Sequence, residues 1–212
     1  MNEKPSLLII GNSNVGKSSI TKLLIPNPRN FKGKTGKKPG SSLLIKSFSH
    51  PRLPYRINDL PGFGYMKTAS HRREEHIKKQ IVIHIEKKNE DYFFALIVIN
   101  ILRIMDEINK FFIKNKMTIP LSFELIDFLR ECYIPIMVII NKIDKISKLD
   151  RIKIISLFVE SAKEYGLKLV HFDKYKLENQ EEIPYLEFSA LKKINLDKLK
   201  KAIRLFLRRS EN

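Results

Sequence analysis

A glycine-bounded loop interrupts an apolar run near the beginning of the chain, in the stretch LLIIGNSNVGKSSITKLL at residues 7–24. Gly11 is followed by four residues and then by Gly16, Lys17 and Ser18, which is the spacing of the phosphate-binding P-loop. This pattern predicts a strand, a tight loop whose backbone N–H groups point inward, and a helix whose N-terminus faces the same ligand. Lys17 then supplies charge to the β- and γ-phosphates, and the Ser18 hydroxyl becomes a Mg²⁺ ligand. The loop therefore predicts a polyphosphate site after the first strand, in preference to a chance glycine turn.

Short apolar runs rich in β-branched residues alternate with longer stretches of helical spacing along the chain. The alternation predicts an α/β fold with a mostly parallel central sheet of about six strands and helices on both faces, in which ligands lie beyond the carboxyl ends of the strands. Residues 100–120 are expected to contain a helix, whereas residues 166–183 look polar and irregular. Because no long linker divides the chain, we expect a single domain over 1–212. The six predicted strands are SLLII, LLIKSF, PYRIND, FFALIVIN, IPIMVII and PYLEF.

The chain carries 40 Lys and Arg residues against 23 Asp and Glu residues, a formal net charge of +17. This excess indicates a polyanionic partner, either nucleic acid or an anionic membrane surface. Aromatic residues make up only 9% of the chain and do not interleave with the basic clusters, so contact with a nucleic-acid backbone is favoured over base stacking.

No apolar run reaches the roughly 20 residues of a membrane-spanning helix. No secretory or lipidation signal is visible, and we therefore expect a cytoplasmic protein.

Two later segments discriminate between nucleotides. Asp59 ends an extended run and Gly62 follows three residues on, an arrangement in which the carboxylate holds Mg²⁺ through water and the glycine N–H senses the γ-phosphate. Asn141, Lys142 and Asp144 end a strongly apolar strand. A carboxylate can accept both the N1 and N2 hydrogens of guanine, whereas adenine offers a bare N1, so Asp144 is expected to select guanine. The Lys142 stem is expected to pack across the base. Taken in order with the P-loop, these motifs favour GTP over ATP.

These segments resemble the translation-factor-related GTPases and, within that class, the EngB (YihA) ribosome-biogenesis GTP-binding proteins. The resemblance covers nearly the whole chain, and the stretch IPLSFELIDFLRE is similar to the archaeal branch. It implies a P-loop GTPase fold and a GTP-switched assembly factor that contacts the RNA backbone of the large ribosomal subunit or its precursor. It is carried by GNSNVGKSS at the P-loop, KPGSS before the second strand, DLPGFGYM at switch II, NKIDK at the base and FSA near the end.

The resemblance also assigns residues to parts of the nucleotide. Residues 35–42 are implied to form switch I, with Ser42 as a Mg²⁺ ligand in place of the usual threonine. Asn14 matches an asparagine of potassium-responsive relatives, so K⁺ is an optional ligand beside Mg²⁺ and GTP or GDP. Leu191 replaces the usual lysine of the last guanine loop, and Asn100 replaces a common aspartate. The implied nucleotide-binding residues are Gly11, Asn12, Ser13, Asn14, Val15, Gly16, Lys17, Ser18, Ser19, Asp59, Gly62, Asn141, Lys142, Asp144, Phe188, Ser189 and Ala190, and the implied metal ligands are Ser18, Ser42 and Asp59.

The chain lacks the glutamine that Ras-like GTPases place immediately after D-x-x-G to orient the attacking water. Phe63 and Gly64 follow instead, and Phe63 can equally well be a core aromatic. We therefore expect slow intrinsic GTP hydrolysis, with a partner ordering the switches to complete the site. The residues expected to support catalysis are Lys17, Asn14 and Gly62.

Basic residues cluster in the switch I segment RNFKGKTGKK and on the last helix, and contact with an RNA backbone is the simplest account of the net charge. His71 and His76 are spaced like a metal-binding pair, but no third ligand follows, so a solvated helix face is favoured. Two other functions stay open: a regulatory GTPase with a protein or membrane partner and, less favoured, a P-loop phosphotransferase, for which no acceptor site is evident. We expect a monomer without a membrane partner or DNA sequence specificity. The basic residues of the last helix are Lys198, Lys200, Lys201, Arg204, Arg208 and Arg209.

Overall fold

The structure is a computed structural model that describes residues 4–26, 45–62, 71–110 and 119–211. Strands and helices alternate along these residues as the apolar pattern predicts. They are β1 (Ser6–Gly11), α1 (Lys17–Leu24), β2 (Lys46–Phe48), β3 (Arg56–Asp59), α2 (His71–Glu86), β4 (Tyr92–Asn100), α3 (Ile101–Ile108), α4 (Leu121–Glu131), β5 (Ile136–Asn141), α5 (Lys148–Glu164), β6 (Lys168–His171), β7 (Glu182–Glu187) and α6 (Leu196–Ser210).

The strands form one sheet in the order β2-β3-β1-β4-β5-β7-β6. Every neighbouring pair is parallel except β2 and β3, which are antiparallel. The predicted α/β class with a mostly parallel sheet is therefore confirmed. The helix expected within residues 100–120 is also present, as α3.

The sheet has seven strands rather than about six, because residues 168–171 form β6. The expectation that residues 166–183 are irregular is therefore wrong for residues 168–171 and for 182–183, which begin β7. Strand β6 lies at the edge of the sheet and pairs in parallel with β7, and Lys168 Nζ lies 3.0 Å from Glu182 Oε1 across this pair. Four residues with a single buried apolar side chain, Leu169, are too few to show a hydrophobic period. The open edge of β7 supplies the ladder hydrogen bonds that make them a strand.

Helices cover both faces of the sheet, since successive residues of a strand point to opposite sides. Leu8 and Ile10 of β1 pack into a core formed with α2, α3, α4 and α5. Leu7 and Ile9 of the same strand pack into a second core formed with α1 and α6. In the described ranges, no helix combines the length and the hydropathy that a bilayer-spanning segment needs. With both faces covered, the two ends of the strands are the places where loops can build a site.

Candidate nucleotide-binding site

Four segments that are far apart in sequence meet at the carboxyl edge of the sheet. Residues 11–16 join β1 to α1, and Asp59 ends β3. Residues 141–144 begin at the last residue of β5, and residues 188–190 follow β7. Because β1, β3, β5 and β7 run in the same direction, their carboxyl ends lie along one edge, where ligands of open α/β sheets bind.

The P-loop enters α1 through Gly16, whose φ of +105° lies in the left-handed region. A Cβ atom at Gly16 would overlap the side-chain amide of Asn141, so only glycine allows this approach between the loop and the end of β5. The Gly16 carbonyl accepts hydrogen bonds from the N–H groups of Ser19 (3.1 Å) and Ile20 (3.0 Å). The loop thus leads directly into the N-terminus of a helix, which favours negatively charged ligands.

Lys17 is buried, with 8% of its surface exposed. Its Nζ donates hydrogen bonds to the carbonyl oxygens of Gly11 (3.0 Å) and Asn12 (2.8 Å). Burial lowers the pKa of Lys17, and the nearby Asp59 carboxylate opposes this shift. The ammonium group is therefore held inside the curl of the P-loop, where phosphate oxygens can replace the two carbonyl acceptors.

Ser18 and Asp59 form a pair of oxygen donors next to Lys17. Ser18 Oγ donates to Asp59 Oδ2 at 3.0 Å. Asp59 is 4% exposed, and burial raises its pKa, while the hydrogen bond from Ser18 and the charge of Lys17 lower it. A hydroxyl and a buried carboxylate at this distance are the ligand types that Mg²⁺ takes beside phosphates. A cavity of about 150 Å³, lined by Ser18, Thr21, Lys22, Ile25, Lys46, Phe48 and Asp59, opens beside them.

The D-x-x-G segment packs directly on the P-loop. The N–H of Leu60 donates to the carbonyl of Ile9 at 3.1 Å, which continues the pairing of β3 with β1 by one residue. A Cβ atom at Gly62 would lie 2.5 Å from Ser13 Oγ and 2.7 Å from Ser13 N, so a larger residue at this position would displace the loop. Gly62 is thus placed where its conformation and that of the P-loop depend on each other.

The buried side chain of Asn141 joins three of the segments. Its Nδ2 donates to the carbonyl of Val15 at 2.8 Å, and its Oδ1 accepts from the N–H of Ala190 at 3.0 Å. Lys142 follows with a left-handed φ of +68°, and its Nζ donates to the carbonyl of Asn14 at 2.6 Å. The N-K-x-D segment is therefore bonded to the P-loop at two points, which holds the two segments next to each other.

Asp144 is oriented by the last of the four segments. Ser189 is fully buried, and its Oγ donates to Asp144 Oδ1 at 2.6 Å. The N–H of Lys192 donates to the same Ser189 hydroxyl at 3.0 Å, so the serine is itself held in place. This chain of bonds positions a carboxylate as a hydrogen-bond acceptor at the end of the site away from Lys17.

Residues 6–142 match the family described as "50S ribosome-binding GTPase". The probable GTP-binding protein EngB of Methanococcus aeolicus is 32% identical over 159 residues, which are 75% of this chain and 66% of that protein. The corresponding EngB of Haloquadratum walsbyi is 33% identical over 68% of this chain and 68% of its own length. The chain belongs to the EngB family.

A solved EngB structure agrees with this assignment. This structure of a probable GTP-binding protein engB is 27% identical and has a TM-score of 0.72, with 96% of this chain and 99% of that chain covered. The elongation factor SelB of Methanococcus maripaludis shares the fold at 18% identity and a TM-score of 0.55, over 98% of this chain and 34% of SelB. The matches span somewhat less than two thirds of the length of the first two curated EngB relatives, 66% and 59%.

Three residues that the EngB resemblance assigns to the nucleotide site differ in their burial. Val15 and Phe188 have buried side chains that pack in the core with α1 and α6, so they face the site through main-chain atoms. Ser19 is exposed on the first turn of α1.

The two positions at which the chain departs from the family pattern are both described. Asn100 stands where an aspartate is common and caps α3, where its Oδ1 accepts from the N–H of Leu102 at 3.2 Å. Leu191, which replaces the family lysine, is 69% exposed. The first departure therefore has a role in helix capping, whereas the second leaves an apolar side chain in solvent beside the last loop.

One partner of the P-loop was missed by sequence reasoning. Asn12 Nδ2 donates to Glu107 Oε1 of α3 at 3.2 Å. Burial raises the pKa of Glu107, opposed first by the Asn12 hydrogen bond and then by the charge of Arg103. No motif marks Glu107, because its role depends on the packing of α3 against a loop 95 residues away. Glu107 supports the outer wall of the P-loop in this EngB chain.

Several predicted site residues lie outside the described ranges. They are the switch I segment 35–42 with Ser42, and Phe63 and Gly64 after D-x-x-G. Where the chain is described, His76 contacts Gln80 at 2.9 Å, and no three or more His, Cys, Asp and Glu side chains are grouped to hold a metal.

Proposed function

We propose that the carboxyl edge of the sheet binds GTP and GDP and that the chain, as one EngB-type G domain over 1–212, acts as a slow, nucleotide-switched GTPase. The observation that carries the proposal is the double hydrogen bond of Asn141, which ties the P-loop at Val15 to the last loop at Ala190. These bonds would hold the P-loop, which is proposed to bind the phosphates, next to the segment that carries Asp144 and is proposed to bind the base.

Guanine recognition is assigned to Asp144, supported by Ser189. The Asp144 carboxylate accepts the N1 and N2 hydrogens of guanine, and the bond from Ser189 Oγ holds its orientation. The bond from Lys142 to the Asn14 carbonyl supports a role in which its aliphatic stem packs across the base. Adenine cannot satisfy Asp144, because its N1 carries no hydrogen, and the carboxylate covered by the base would be left unpaired.

The phosphates are assigned to the P-loop and Lys17, and the metal to Ser18, Asp59 and Ser42. On binding, the Lys17 ammonium exchanges the carbonyls of Gly11 and Asn12 for phosphate oxygens. A Mg²⁺ ion held by these residues would supply positive charge beside the β- and γ-phosphates. Ser18 Oγ would keep its hydrogen bond to Asp59, because the hydroxyl donates through its hydrogen and retains lone pairs that could ligate a metal.

Catalysis is proposed to be slow and to rest on positioning. Lys17 and the N–H of Gly62 stabilise charge on the γ-phosphate, and no glutamine follows Gly62 to orient water. Asn14, at the rim of the P-loop with a φ of +63°, is proposed to help hold K⁺ beside the phosphates. Turnover should then be faster in K⁺ than in Na⁺ at equal ionic strength, and Asn14→Ala should remove the difference. Equal rates of the parent in both salts would exclude the K⁺ role.

The partner is proposed to be the backbone of ribosomal RNA in the large subunit or its precursor. Two facts support it: the family matched by residues 6–142 is described as 50S ribosome-binding, and the chain carries a net charge of +17. Helix α6 presents exposed basic side chains while its apolar face packs on the sheet. We expect no DNA sequence specificity and a monomer. The exposed basic residues of α6 are Lys200, Lys201, Arg204, Arg208 and Arg209.

Sedimentation of the full chain with isolated ribosomal subunits tests this partner. Binding to the large subunit should be tighter with a non-hydrolysable GTP analogue than with GDP, and it should weaken as salt rises. Replacing Lys200, Lys201 and Arg204 by Glu should weaken it without changing GTP affinity. The matched control reverses three exposed lysines of α5, Lys148, Lys153 and Lys163, which changes the net charge equally. Binding that ignores both nucleotide and salt would reject the assembly role, and binding to anionic liposomes instead would favour the regulatory GTPase.

A further inference from the structure

A second concave site lies at the amino edge of the sheet, opposite the nucleotide site. It has a volume of about 220 Å³ and is bounded by the starts of β5 and β7 and by the ends of α4 and α6. This is below the roughly 300–1,000 Å³ of sites for drug-sized ligands, so a single ring system is the size that fits. We call it the amino-edge groove and define it by Arg130, Tyr133, Tyr175, Gln180, Phe206 and Arg209.

Tyr133 stands at the rim of this groove in a conformation that L-residues avoid. Its φ is +58°, and its surface is 91% exposed. The N–H of Tyr133 donates to the carbonyl of Arg130 at 2.9 Å, and the N–H of Ile134 donates to that of Leu129 at 3.0 Å. These two bonds form a Schellman motif at the end of α4, a motif in which the residue at this position is usually glycine.

The turn at the end of α5 has the same two hydrogen bonds but contains glycine at the left-handed position. There the N–H of Gly166 donates to the carbonyl of Lys163 at 3.0 Å, and the N–H of Leu167 donates to that of Ala162 at 2.8 Å. Gly166 has a φ of +98°. Both turns lead from a helix into a strand, yet one has glycine and the other a solvent-exposed tyrosine. Because the Tyr133 ring is exposed, its burial cannot offset the strain of the left-handed backbone. The strain therefore points to a role for the ring in contact with a partner.

The floor of the groove is a layer of stacked aromatic rings. The rings of Tyr175 and Phe206 are stacked, with centroids 6.1 Å apart and an interplanar angle of 22°. Phe206 in turn stacks on Phe94 of β4, with centroids 4.0 Å apart. Tyr175 is only partly buried, so the layer presents an aromatic surface to the groove. Aromatic platforms of this kind bind bases without regard to sequence, since every base has a π-face.

The charge at the groove is positive. Arg130 and Arg209 line it and are both exposed. Glu182 is the acidic residue among its lining side chains, and its carboxylate is paired with Lys168 at 3.0 Å. Two guanidinium groups beside an exposed and a half-buried tyrosine suit a ligand that has both phosphates and bases.

We propose that the amino-edge groove binds one unpaired base of an RNA strand, with the base stacked on Tyr133 and the flanking phosphates contacted by Arg130 and Arg209. The proposal adds a second contact to the RNA partner of the proposed function and rests on that choice of partner. Arg209 belongs to both sites, whereas the other exposed basic residues of α6 are proposed to contact the RNA backbone only. A paired base cannot enter, because its faces are already stacked within the duplex.

Fluorescence of an added tryptophan tests the contact directly, because the chain contains none. Tyr133→Trp places the only indole at the rim of the groove. Adding a mixed-sequence single-stranded oligoribonucleotide should quench it, whereas the matching duplex should not. Leu149→Trp, at an apolar position on α5 that is 72% exposed, is the control. Equal quenching at both positions, or none at position 133, would overturn the proposal.

Affinity measurements with the same two RNAs separate stacking from charge. Tyr133→Ala should weaken single-strand binding by roughly fivefold to a hundredfold, while Tyr133→Phe should keep it within about twofold and duplex binding should stay unchanged. Replacing both Arg130 and Arg209 by Gln should lower the slope of log affinity against log salt by about 1.4 for the single strand. The control is Lys153→Gln with Lys163→Gln on α5. A loss for Tyr133→Ala that is equal on single and double strands would overturn the stacking role.

The experiments can contradict either proposal without contradicting the other. If large-subunit binding responds to nucleotide but Tyr133→Ala changes nothing on free RNA, the groove proposal fails and the proposed function stands. If single-stranded RNA quenches the tryptophan but subunit binding ignores nucleotide and salt, the assembly role fails and the groove remains an RNA site. GTP affinity of each variant, which should equal that of the parent, shows that the fold is intact.

Discussion

The two edges of the sheet differ in how their side chains are held. At the carboxyl edge the important side chains bond to the fold itself: Asn141 to Val15 and Ala190, and Ser18 to Asp59. At the amino edge Tyr133 extends into solvent from a strained turn, and two exposed arginines line the same groove. A small ligand that must be placed to within fractions of an ångström needs the first kind of site. A long polymer, bound at several weak points, can use the second.

The largest expected effect is on nucleotide affinity at the carboxyl edge, which the amino edge does not share. Asp144→Asn replaces an acceptor with a donor beside the N1 and N2 hydrogens of guanine. Each hydrogen bond to a charged acceptor is worth roughly 1.5–3 kcal/mol, so GTP affinity should fall by about a hundredfold or more. Xanthosine triphosphate, whose 2-position is a carbonyl, should bind better to the variant than to the parent. Calorimetric titration with both nucleotides measures this.

Asp106→Asn, at an exposed carboxylate of α3, is the matched control and should leave both affinities unchanged. Equal GTP affinity of parent and Asp144→Asn would remove Asp144 from the site. It would leave the amino-edge groove untouched, since that site lies at the other end of the strands.

Two glycines, one near each edge, should differ in cost when replaced by alanine. Gly16→Ala meets the Asn141 amide and a left-handed φ together, so it should lower the free energy of unfolding by roughly 2–5 kcal/mol. Gly166→Ala meets a left-handed φ of +98° but no atom within 4 Å, so roughly 1 kcal/mol is expected. Urea unfolding of both variants gives the comparison. Similar costs would show that the Gly16 contact with Asn141 is easily relieved.

Asp59→Asn should stabilise the nucleotide-free chain at neutral pH. Burial raises the pKa of Asp59 in the folded state, so the folded state binds this proton more tightly and the charged form opposes folding above the unfolded pKa of about 3.9. The gain from replacing the carboxylate by an amide should therefore shrink as pH falls toward that value. Unfolding midpoints without Mg²⁺, between neutral pH and the lowest pH at which the chain stays folded, measure it.

Added Mg²⁺ with GDP should reverse the order, because the parent keeps its carboxylate ligand and the variant does not. Asp106→Asn again serves as the exposed control. An Asp59→Asn variant that is less stable than the parent at neutral pH would mean that the hydrogen bond from Ser18 outweighs the burial of the charge.

The smallest expected effect concerns the turn at Tyr133. Tyr133→Gly removes a left-handed tyrosine and should raise the free energy of unfolding by roughly 0.5–1 kcal/mol, which is a Tm increase of about 1–4 °C for a chain of this size. The same change should weaken single-stranded RNA binding. Thermal unfolding and RNA titration of one variant therefore test whether stability and binding oppose each other. A Tm below that of the parent would show that the tyrosine supports the fold.

Sequence alone predicted the α/β class and the order of the motifs, and it failed where structure depends on distant packing. Strand β6 was missed because a four-residue edge strand has no usable period. Glu107 was missed because nothing near it in sequence relates it to Asn12. The groove was missed because its tyrosines and arginines, at positions 130, 133, 175 and 209, do not interleave along the chain.

The sequence by itself determined which residue types are available for the proposed chemistry. Phosphate binding, metal ligation and guanine selection each require particular residue types at short spacings, and such spacings are visible in one dimension. Only the tertiary structure decided which of these groups meet. The sheet order places the ends of β1, β3, β5 and β7 on one edge, and it brings α4 and α6 together at the opposite edge. Hydrogen bonds and ring contacts act over a few ångströms, so residues a hundred positions apart acquire a joint function only when the strands between them are ordered.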